Sequence, residues 1–210
     1  MTLPIPVYRR LGSDDPAAPM VVLLHGRGAD ETSMLPLVDR LPTGPQYVLL
    51  RAPLPAGDGW TWFENRGLGR PVPESLAGTI AWFRAWLDSV AVPECLVVPV
   101  GFSGGAAFAG GVVLSDPSRF RGLAMICGTL PWDAGVPIEA GALAGLDAFC
   151  AVAEQDEVMP AELMDRTRAY FEQDTGARRV TLHRDPGGHE ISEATARLLA
   201  TWLEVGLSGC

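Results

Sequence analysis

Continuous apolar runs, separated by amphipathic stretches, constrain the fold of this chain most strongly. A strand that is apolar along its whole length is one that other elements cover on both faces, as in a parallel sheet between helices. A more alternating run suits a strand near the edge of the sheet. We predict five buried strands at residues 19–25, 46–52, 95–101, 122–128 and 148–154, and an edge strand at 179–184.

Between these runs, apolar residues recur with the period of a helix. Two long stripes consist of Leu76, Ile80, Phe83, Leu87 and Val90, and of Ile191, Ala194, Leu198, Trp202 and Val205. A shorter stripe includes Leu163 and Phe171, residues 32–41 form a fourth candidate, and the small residues after Ser103 form a fifth. Alternating strands and helices predict an α/β fold: one domain over residues 1–210, with a mostly parallel central sheet and helices on both faces.

Composition excludes several classes of function. The net charge is −9, which disfavours nucleic acid and anionic membranes as partners. All sixteen basic residues are arginine, so a lysine Schiff-base mechanism is excluded. No apolar run approaches the roughly 20 residues that span a bilayer, and we therefore expect no stable membrane insertion.

Cysteine usage points to a reducing compartment. Cys95, Cys127 and Cys150 lie in or beside predicted strands, Cys210 lies at the end of the chain, and no CxxC pair occurs. This arrangement predicts reduced thiols. The start of the chain lacks the pattern of a signal peptide. We therefore expect a cytoplasmic protein.

A serine among glycines is the first candidate for chemistry. Gly101, Ser103 and Gly105 form a GxSxG pattern between a predicted strand and a helix-like run. A nucleophile on such a turn needs a strained backbone, and the glycines remove side chains that would collide where strand and helix meet. The alternative is a simple glycine-serine turn in a chain with 24 glycines.

A serine nucleophile needs a base, and the chain has only three histidines. His25 precedes the serine and adjoins a glycine turn, where we interpret it as structural. His183 lies within a predicted strand. His189 lies in a glycine loop after the last strand, the place of the base in the order Ser, Asp/Glu, His of α/β-hydrolases.

The acid that orients the base should follow a strand between the serine and the histidine. Asp156 comes two residues after a predicted strand end, and it is our candidate. Glu154 and Glu157 are the nearby alternatives in this acidic run. An oxyanion hole needs two backbone N–H donors. We assign them to Gly104, directly after the nucleophile, and to Arg27 in the glycine turn after the first buried strand.

At these positions the chain resembles the phospholipase/carboxylesterase family of small α/β-hydrolases, which includes acyl-protein thioesterases and bacterial esterases without a large cap domain. The motifs are LLHGRGAD, RAP, WTWFE, VGFSGG, AEQDEVMP and GGHEIS, in family order from about Val21 to Ser192. The resemblance implies the same triad and the same two oxyanion donors. The family's thioesterases usually have Gln where this chain has Gly104, and the acid loop departs from the usual pattern at Ala153 and Met159.

Together these features predict a serine hydrolase that cleaves esters or thioesters. The absence of a cap-sized insertion favours short to medium acyl chains. Aromatic and apolar residues in the two long loops are candidate substrate contacts: Trp60, Trp62, Phe63, Leu130 and Trp132. We expect no cofactor and no metal, because neither HExxH nor CxxC occurs. The partner is then a small-molecule ester or thioester.

Several alternatives stay open from the sequence. A lactonase or a peptidase could use the same fold and triad. A binding protein on a hydrolase scaffold is a rival from another class, although it would not need the triad and both oxyanion loops. Homodimer formation also stays open.

Overall fold

A seven-stranded sheet forms the centre of the protein in a computed structural model that describes residues 2–208. The strand order is β1-β3-β2-β6-β7-β8-β9; β1 pairs antiparallel with β3, and all other pairs are parallel. These strands are β1 (Tyr8–Gly12), β2 (Met20–Leu24), β3 (Gln46–Leu50), β6 (Val97–Phe102), β7 (Gly122–Ile126), β8 (Asp147–Ala153) and β9 (Arg179–Asp185). A separate antiparallel hairpin consists of β4 (Leu54–Ala56) and β5 (Gly59–Thr61).

Helices cover both faces of the sheet, as predicted. On one face lie α2 (Pro73–Val90), α3 (Gly104–Ser115) and α4 (Ala161–Gln173); on the other lie α1 (Leu35–Val38) and α5 (Glu193–Leu207). Successive side chains of a strand point to opposite faces. In β2, Val22 therefore packs in the first layer and Val21 in the second, and both are fully buried. Two apolar layers thus explain the continuous apolar runs.

The structure contains strands that the sequence analysis did not predict. All five residues of β1 are exposed, so this edge strand lacks the apolar signal of its neighbours. The β4–β5 hairpin lies within the first long loop. The two stretches 51–72 and 127–146 contain this hairpin and turns, with no helix.

The helix predicted at 32–41 is divided in two. A 3₁₀ helix at Glu31–Met34 is followed by the short α1. Pro36 has no N–H, so it cannot donate to Thr32 as a continuous α-helix would require. The prediction of one helix here was therefore wrong.

The close contact between β6 and α3 requires glycine at two positions. A Cβ on Gly101 would lie 2.1 Å from the carbonyl oxygen of Gly105, and one on Gly105 would lie 2.1 Å from the carbonyl oxygen of Leu24. These contacts are with backbone atoms, which cannot move aside as the end of a side chain can. The backbone of α3 therefore lies directly against the ends of β6 and β2.

Cys95, Cys127 and Cys150 are buried free thiols, whereas Cys210 lies outside the described residues. Burial raises the pKa of both Cys127 and Cys150 to about 12, which keeps these thiols protonated at neutral pH. Within residues 2–208, no helix has the length and apolar character needed to cross a membrane.

We expect Gly105→Ala to destabilise the protein by about 1–3 kcal/mol, because the added methyl group would overlap backbone atoms. The matched control is Gly78→Ala in the exposed middle of α2, where an added Cβ meets no atom within 4 Å. That variant should gain about 0.5–1 kcal/mol from helix propensity. Urea unfolding measures both changes, and equal stability of the two variants would contradict the packing argument.

Candidate active site

Ser103 occupies the turn between β6 and α3 with a backbone that few residues adopt. Its φ is 54° and its ψ is −118°, and it is one of three non-glycine residues with positive φ among those described. The Ser103 N–H donates to the carbonyl oxygen of Ile126 at 2.9 Å, which fixes the turn against β7. Strained backbone of this kind persists where surrounding structure holds it and is concentrated at functional sites.

The structure brings Ser103, His189 and Asp156 together. His189 Nε2 lies 2.8 Å from Ser103 Oγ, and His189 Nδ1 lies 2.8 Å from Asp156 Oδ2. The other oxygen of Asp156 accepts from the N–H groups of Val158 at 2.9 Å and Met159 at 3.0 Å. Because both donors are backbone groups, the departure from the family pattern at Met159 costs no hydrogen bond.

These contacts define the tautomer of His189. An ionised carboxylate only accepts hydrogen bonds, so Nδ1 carries the proton that is donated to Asp156. Nε2 is then the free acceptor and faces the Ser103 hydroxyl. The arrangement can remove a proton from Ser103.

The alternative residues lie elsewhere. Glu154 and Glu157 are exposed, and neither contacts His189. His183 lies in β9, with Nε2 3.4 Å from Asp185 Oδ2, and does not contact Ser103. Within residues 2–208, Asp156 is thus the acid whose carboxylate contacts His189 Nδ1.

Two backbone N–H groups next to Ser103 have no acceptor among the described residues. They belong to Arg27, in the loop after β2, and to Gly104, the first residue of α3. A Cβ built on Gly104 would lie 3.4 Å from the Arg27 nitrogen, so the two peptides are neighbours. The N-terminus of α3 adds the positive end of a helix dipole. This place can accept a negatively charged oxygen.

His25 is fully buried beneath the loop that contains Arg27. Its Nδ1 lies 2.7 Å from the carbonyl oxygen of Gly26, and its Nε2 lies 3.1 Å from the N–H of Ala52, which donates to it. Burial lowers the pKa of His25, so the ring is neutral and can be donor at one nitrogen and acceptor at the other. His25 therefore joins the loop to the end of β3.

Asp185, which the sequence analysis did not select, organises the loop that contains His189. Its carboxylate accepts from the N–H of Gly187 at 2.9 Å, from Thr195 Oγ1 at 2.8 Å and from Ser192 Oγ. Burial opposes ionisation, but these hydrogen bonds outweigh it and lower the pKa of Asp185 to about 2. The carboxylate thus connects β9, the histidine loop and the first turn of α5.

A cleft of about 630 Å³ opens over Ser103, His189 and the two N–H groups. Its lining is mostly apolar, and it includes side chains that lie within the motifs or a few residues after them: Met34, Leu37, Phe63, Leu68, Phe102, Val158, Met159 and Ile191. Seven of these were not predicted. The available signal was their position within a motif or a few residues after one, because the loops at the carboxyl ends of parallel strands meet at one edge.

Of the five predicted substrate contacts, only Phe63 lines this cleft. Trp62 and Leu130 are fully buried in the apolar layer, and Trp132 is buried with its indole N–H on Thr167 Oγ1 at 3.0 Å. Trp60 is half-buried beside Arg51, outside the lining. The structure thus places these four side chains outside the cleft, because they pack against neighbouring elements and not toward Ser103.

No group of three His, Cys, Asp or Glu side chains in the described part of the chain is arranged to hold a metal ion.

We expect Asp185→Asn to make stability less dependent on pH in acid. The pKa of about 2 lies below the value of about 3.9 of an unfolded aspartate, so the carboxylate stabilises the fold fully above about pH 4. The difference corresponds to about 2–3 kcal/mol, most of which is lost as the pH falls toward 2. Urea unfolding from pH 7 to pH 2 measures this contribution.

The control is Asp58→Asn, at an exposed turn between β4 and β5. It should follow the wild-type pH profile, whereas Asp185→Asn should show lower stability at pH 7 and a flatter decline. A wild-type profile in Asp185→Asn would contradict the role assigned to this carboxylate.

Comparisons with known proteins agree with this fold. A carboxylesterase from Mesorhizobium loti is 25% identical, with a TM-score of 0.79 over 93% of both chains. A Bacillus cereus carboxylesterase is 20% identical, with a TM-score of 0.84 over 96% of this chain and 95% of the other. Acyl-protein thioesterase 2 from Zea mays is 18% identical, with a TM-score of 0.78 over 96% and 99% of the two chains. The likenesses to the last two are evidence of fold alone.

Among curated proteins, none matches this chain significantly. The model of the phospholipase/carboxylesterase family matches residues 11–206, which is nearly the whole chain. With the α/β-hydrolase fold described above, this match confirms the predicted resemblance: the chain belongs to the phospholipase/carboxylesterase family and is a hydrolase of the carboxylesterase/thioesterase type.

Proposed function

We propose that the protein cleaves carboxylic esters or thioesters through an acyl-enzyme formed on Ser103. The observation that carries the proposal is the continuous chain of contacts from Ser103 Oγ to His189 and on to Asp156, each of 2.8 Å. Two N–H groups that have no acceptor among residues 2–208 lie beside the same serine. A nucleophile, an oriented base and two donors are the groups that acyl transfer requires.

In the acylation step, Ser103 Oγ attacks the acyl carbon while His189 Nε2 takes its proton. The carbonyl oxygen becomes negatively charged and accepts hydrogen bonds from Arg27 N–H and Gly104 N–H. The resulting imidazolium is stabilised by the carboxylate of Asp156. When the tetrahedral intermediate collapses, His189 gives its proton to the leaving alcohol or thiol.

Deacylation uses the same groups in the same order. A water molecule replaces the leaving group, and His189 Nε2 removes its proton as the oxygen attacks the acyl carbon. The oxyanion forms again at the two backbone donors. Collapse breaks the bond to Ser103 Oγ, which regains the proton from His189, and the carboxylic acid leaves.

The lining of the cleft supports an apolar acyl group, and the lack of a cap-sized insertion among the described residues favours one of short to medium length. The lining is mostly apolar, and the cleft has about 630 Å³ of space. At its rim, Leu68 and Val158 are exposed, so an apolar group there would cover them. Arg40, which also lines the cleft, forms a 2.8 Å ion pair with Glu193. Relatives named carboxylesterase and acyl-protein thioesterase are consistent with either ester or thioester substrates.

Ser103→Ala should abolish hydrolysis of p-nitrophenyl butyrate and of a butyryl thioester, because it removes the hydroxyl that contacts His189 Nε2. We expect kcat to fall by roughly 10⁴-fold or more. The matched control is Ser33→Ala, a serine that lines the same cleft without contacting His189. Hydrolysis by Ser103→Ala at more than a tenth of the wild-type rate would contradict the proposal.

Asp156→Asn should lower kcat by roughly 10³- to 10⁴-fold, because an amide no longer enforces the tautomer of His189 or stabilises its cation. Glu154→Gln and Glu157→Gln remove neighbouring charges that do not contact His189, and they should keep kcat within about threefold of wild type. Steady-state kinetics of the three variants decides between the acids. A large loss in Glu154→Gln together with an active Asp156→Asn would transfer the role to Glu154.

A further inference from the structure

The WTWFE motif has a ring that the proposed chemistry does not use. Trp62, in the middle of the motif, is fully buried and lies outside the cleft lining. Its indole N–H donates to the carbonyl oxygen of His25 at 2.8 Å. Of the described tryptophans, Trp86 and Trp202 have indole N–H groups without any acceptor. A buried indole therefore does not need this bond in order to pack in this protein.

The hydrogen bond from Trp62 reaches the first residue of the oxyanion loop, which we define as residues 25–29. The N–H of its middle residue, Arg27, has no acceptor in the described part of the chain. On the other side of Arg27, Gly28 N–H donates to the carbonyl oxygen of Trp60 at 2.8 Å, and Trp60 N–H donates to the carbonyl oxygen of Ala29 at 3.0 Å. The segment from Trp60 to Trp62 thus holds the oxyanion loop both before and after Arg27.

The same indole also contacts the helix that carries the second donor. The Trp62 ring stacks on Phe108 with centroids 4.6 Å apart and an interplanar angle of 17°. Phe108 lies one turn into α3, the helix that begins at Gly104. On its other side, the Trp62 ring lies 5.2 Å from the ring of His25. One rigid side chain therefore contacts both elements that supply the N–H groups.

We propose that Trp62 is the positioning residue of the oxyanion hole: its indole N–H, bonded to the carbonyl of His25, sets the oxyanion loop against α3 so that the N–H groups of Arg27 and Gly104 converge. The inference rests on the proposed function, because it assumes that these two groups bind the oxyanion. It replaces the predicted role of Trp62 as a substrate contact.

The expected effect follows from how strictly such donors must be placed. Loss of a whole oxyanion donor lowers kcat by about 10²- to 10³-fold, and a displacement near 1 Å can cost about 10²-fold. Without the indole bond, Arg27 keeps its N–H, but the loop loses its restraint on one side. We therefore expect Trp62→Phe to lower kcat/KM by about 10- to 100-fold through kcat, with KM changed less than about threefold.

The test is Trp62→Phe, which keeps an aromatic ring against Phe108 and removes the donor. Kinetics with p-nitrophenyl butyrate separates kcat from KM. The second measurement is the Ki of an alkyl trifluoromethyl ketone, whose adduct with Ser103 carries an oxyanion. Its Ki should rise by about the same factor as kcat/KM falls, because the ketone adduct and the transition state use the same two donors.

The matched control is Trp86→Phe. Trp86 is buried in the same apolar layer, contacts Phe83, and has an indole N–H without acceptor. The Trp86→Phe variant should lose stability through the same reduction of ring size. Its kcat and its Ki for the ketone should stay within about twofold of wild type. Thermal unfolding of both variants shows whether the losses of stability are comparable.

Three results would overturn the inference. The first is a Trp62→Phe enzyme with wild-type kcat. The second is a rise in KM alone, which is the effect expected for a substrate contact. The third is a fall in kcat without a change in the Ki of the ketone. If Trp62→Phe does not fold, 3-benzothienylalanine at position 62 keeps the bicyclic shape with sulfur in place of the N–H, and the same outcomes apply. Hydrolysis by Ser103→Ala would instead refute the proposed function itself.

Discussion

Gly101 and Gly105 allow the backbones of β6 and α3 to approach more closely than any side chain would permit. That approach forces the chain to reverse at Ser103, with a φ of 54° and its N–H on the carbonyl of Ile126. The reversal places Ser103 Oγ at the carboxyl edge of the sheet and the N-terminus of α3 directly behind it. The other groups of the site are arranged around this turn.

Each of the other groups depends on hydrogen bonds between loops. The acid loop is joined to the histidine loop where Glu154 N–H donates to the carbonyl of Asp185 and Gln155 N–H donates to that of Gly187. The Asp185 carboxylate then secures the histidine loop to α5. Likewise, the oxyanion loop takes its position from the ring of His25 and from the β5 segment. Buried hydrogen bonds therefore hold the side chains near Ser103 in place. Removing one partner of such a bond costs the most stability, because it leaves the other partner buried without a hydrogen bond.

Sequence patterns predicted the parallel strands well because burial on both faces leaves an unmistakable apolar run. They could not predict β1, whose residues are exposed, or the break at Pro36, which depends on one missing N–H. Motif and order predicted Ser103, His189 and Asp156, and the structure places these three side chains in contact. Four of the five predicted substrate contacts lie outside the cleft, because a large apolar residue in a loop can turn either toward a cleft or into the core. The direction of Trp62 is decided by its tertiary contacts with His25 and Phe108, which sequence spacing does not encode.

The role of Ser103 as the nucleophile is tested most directly by labelling the protein with a fluorophosphonate probe and identifying the modified residue by peptide mass spectrometry. The probe captures an activated serine whatever the natural substrate is. We predict one adduct, on Ser103, that forms much more slowly in a His189→Ala variant. An adduct on another residue, or a rate that the loss of His189 does not change, would contradict it.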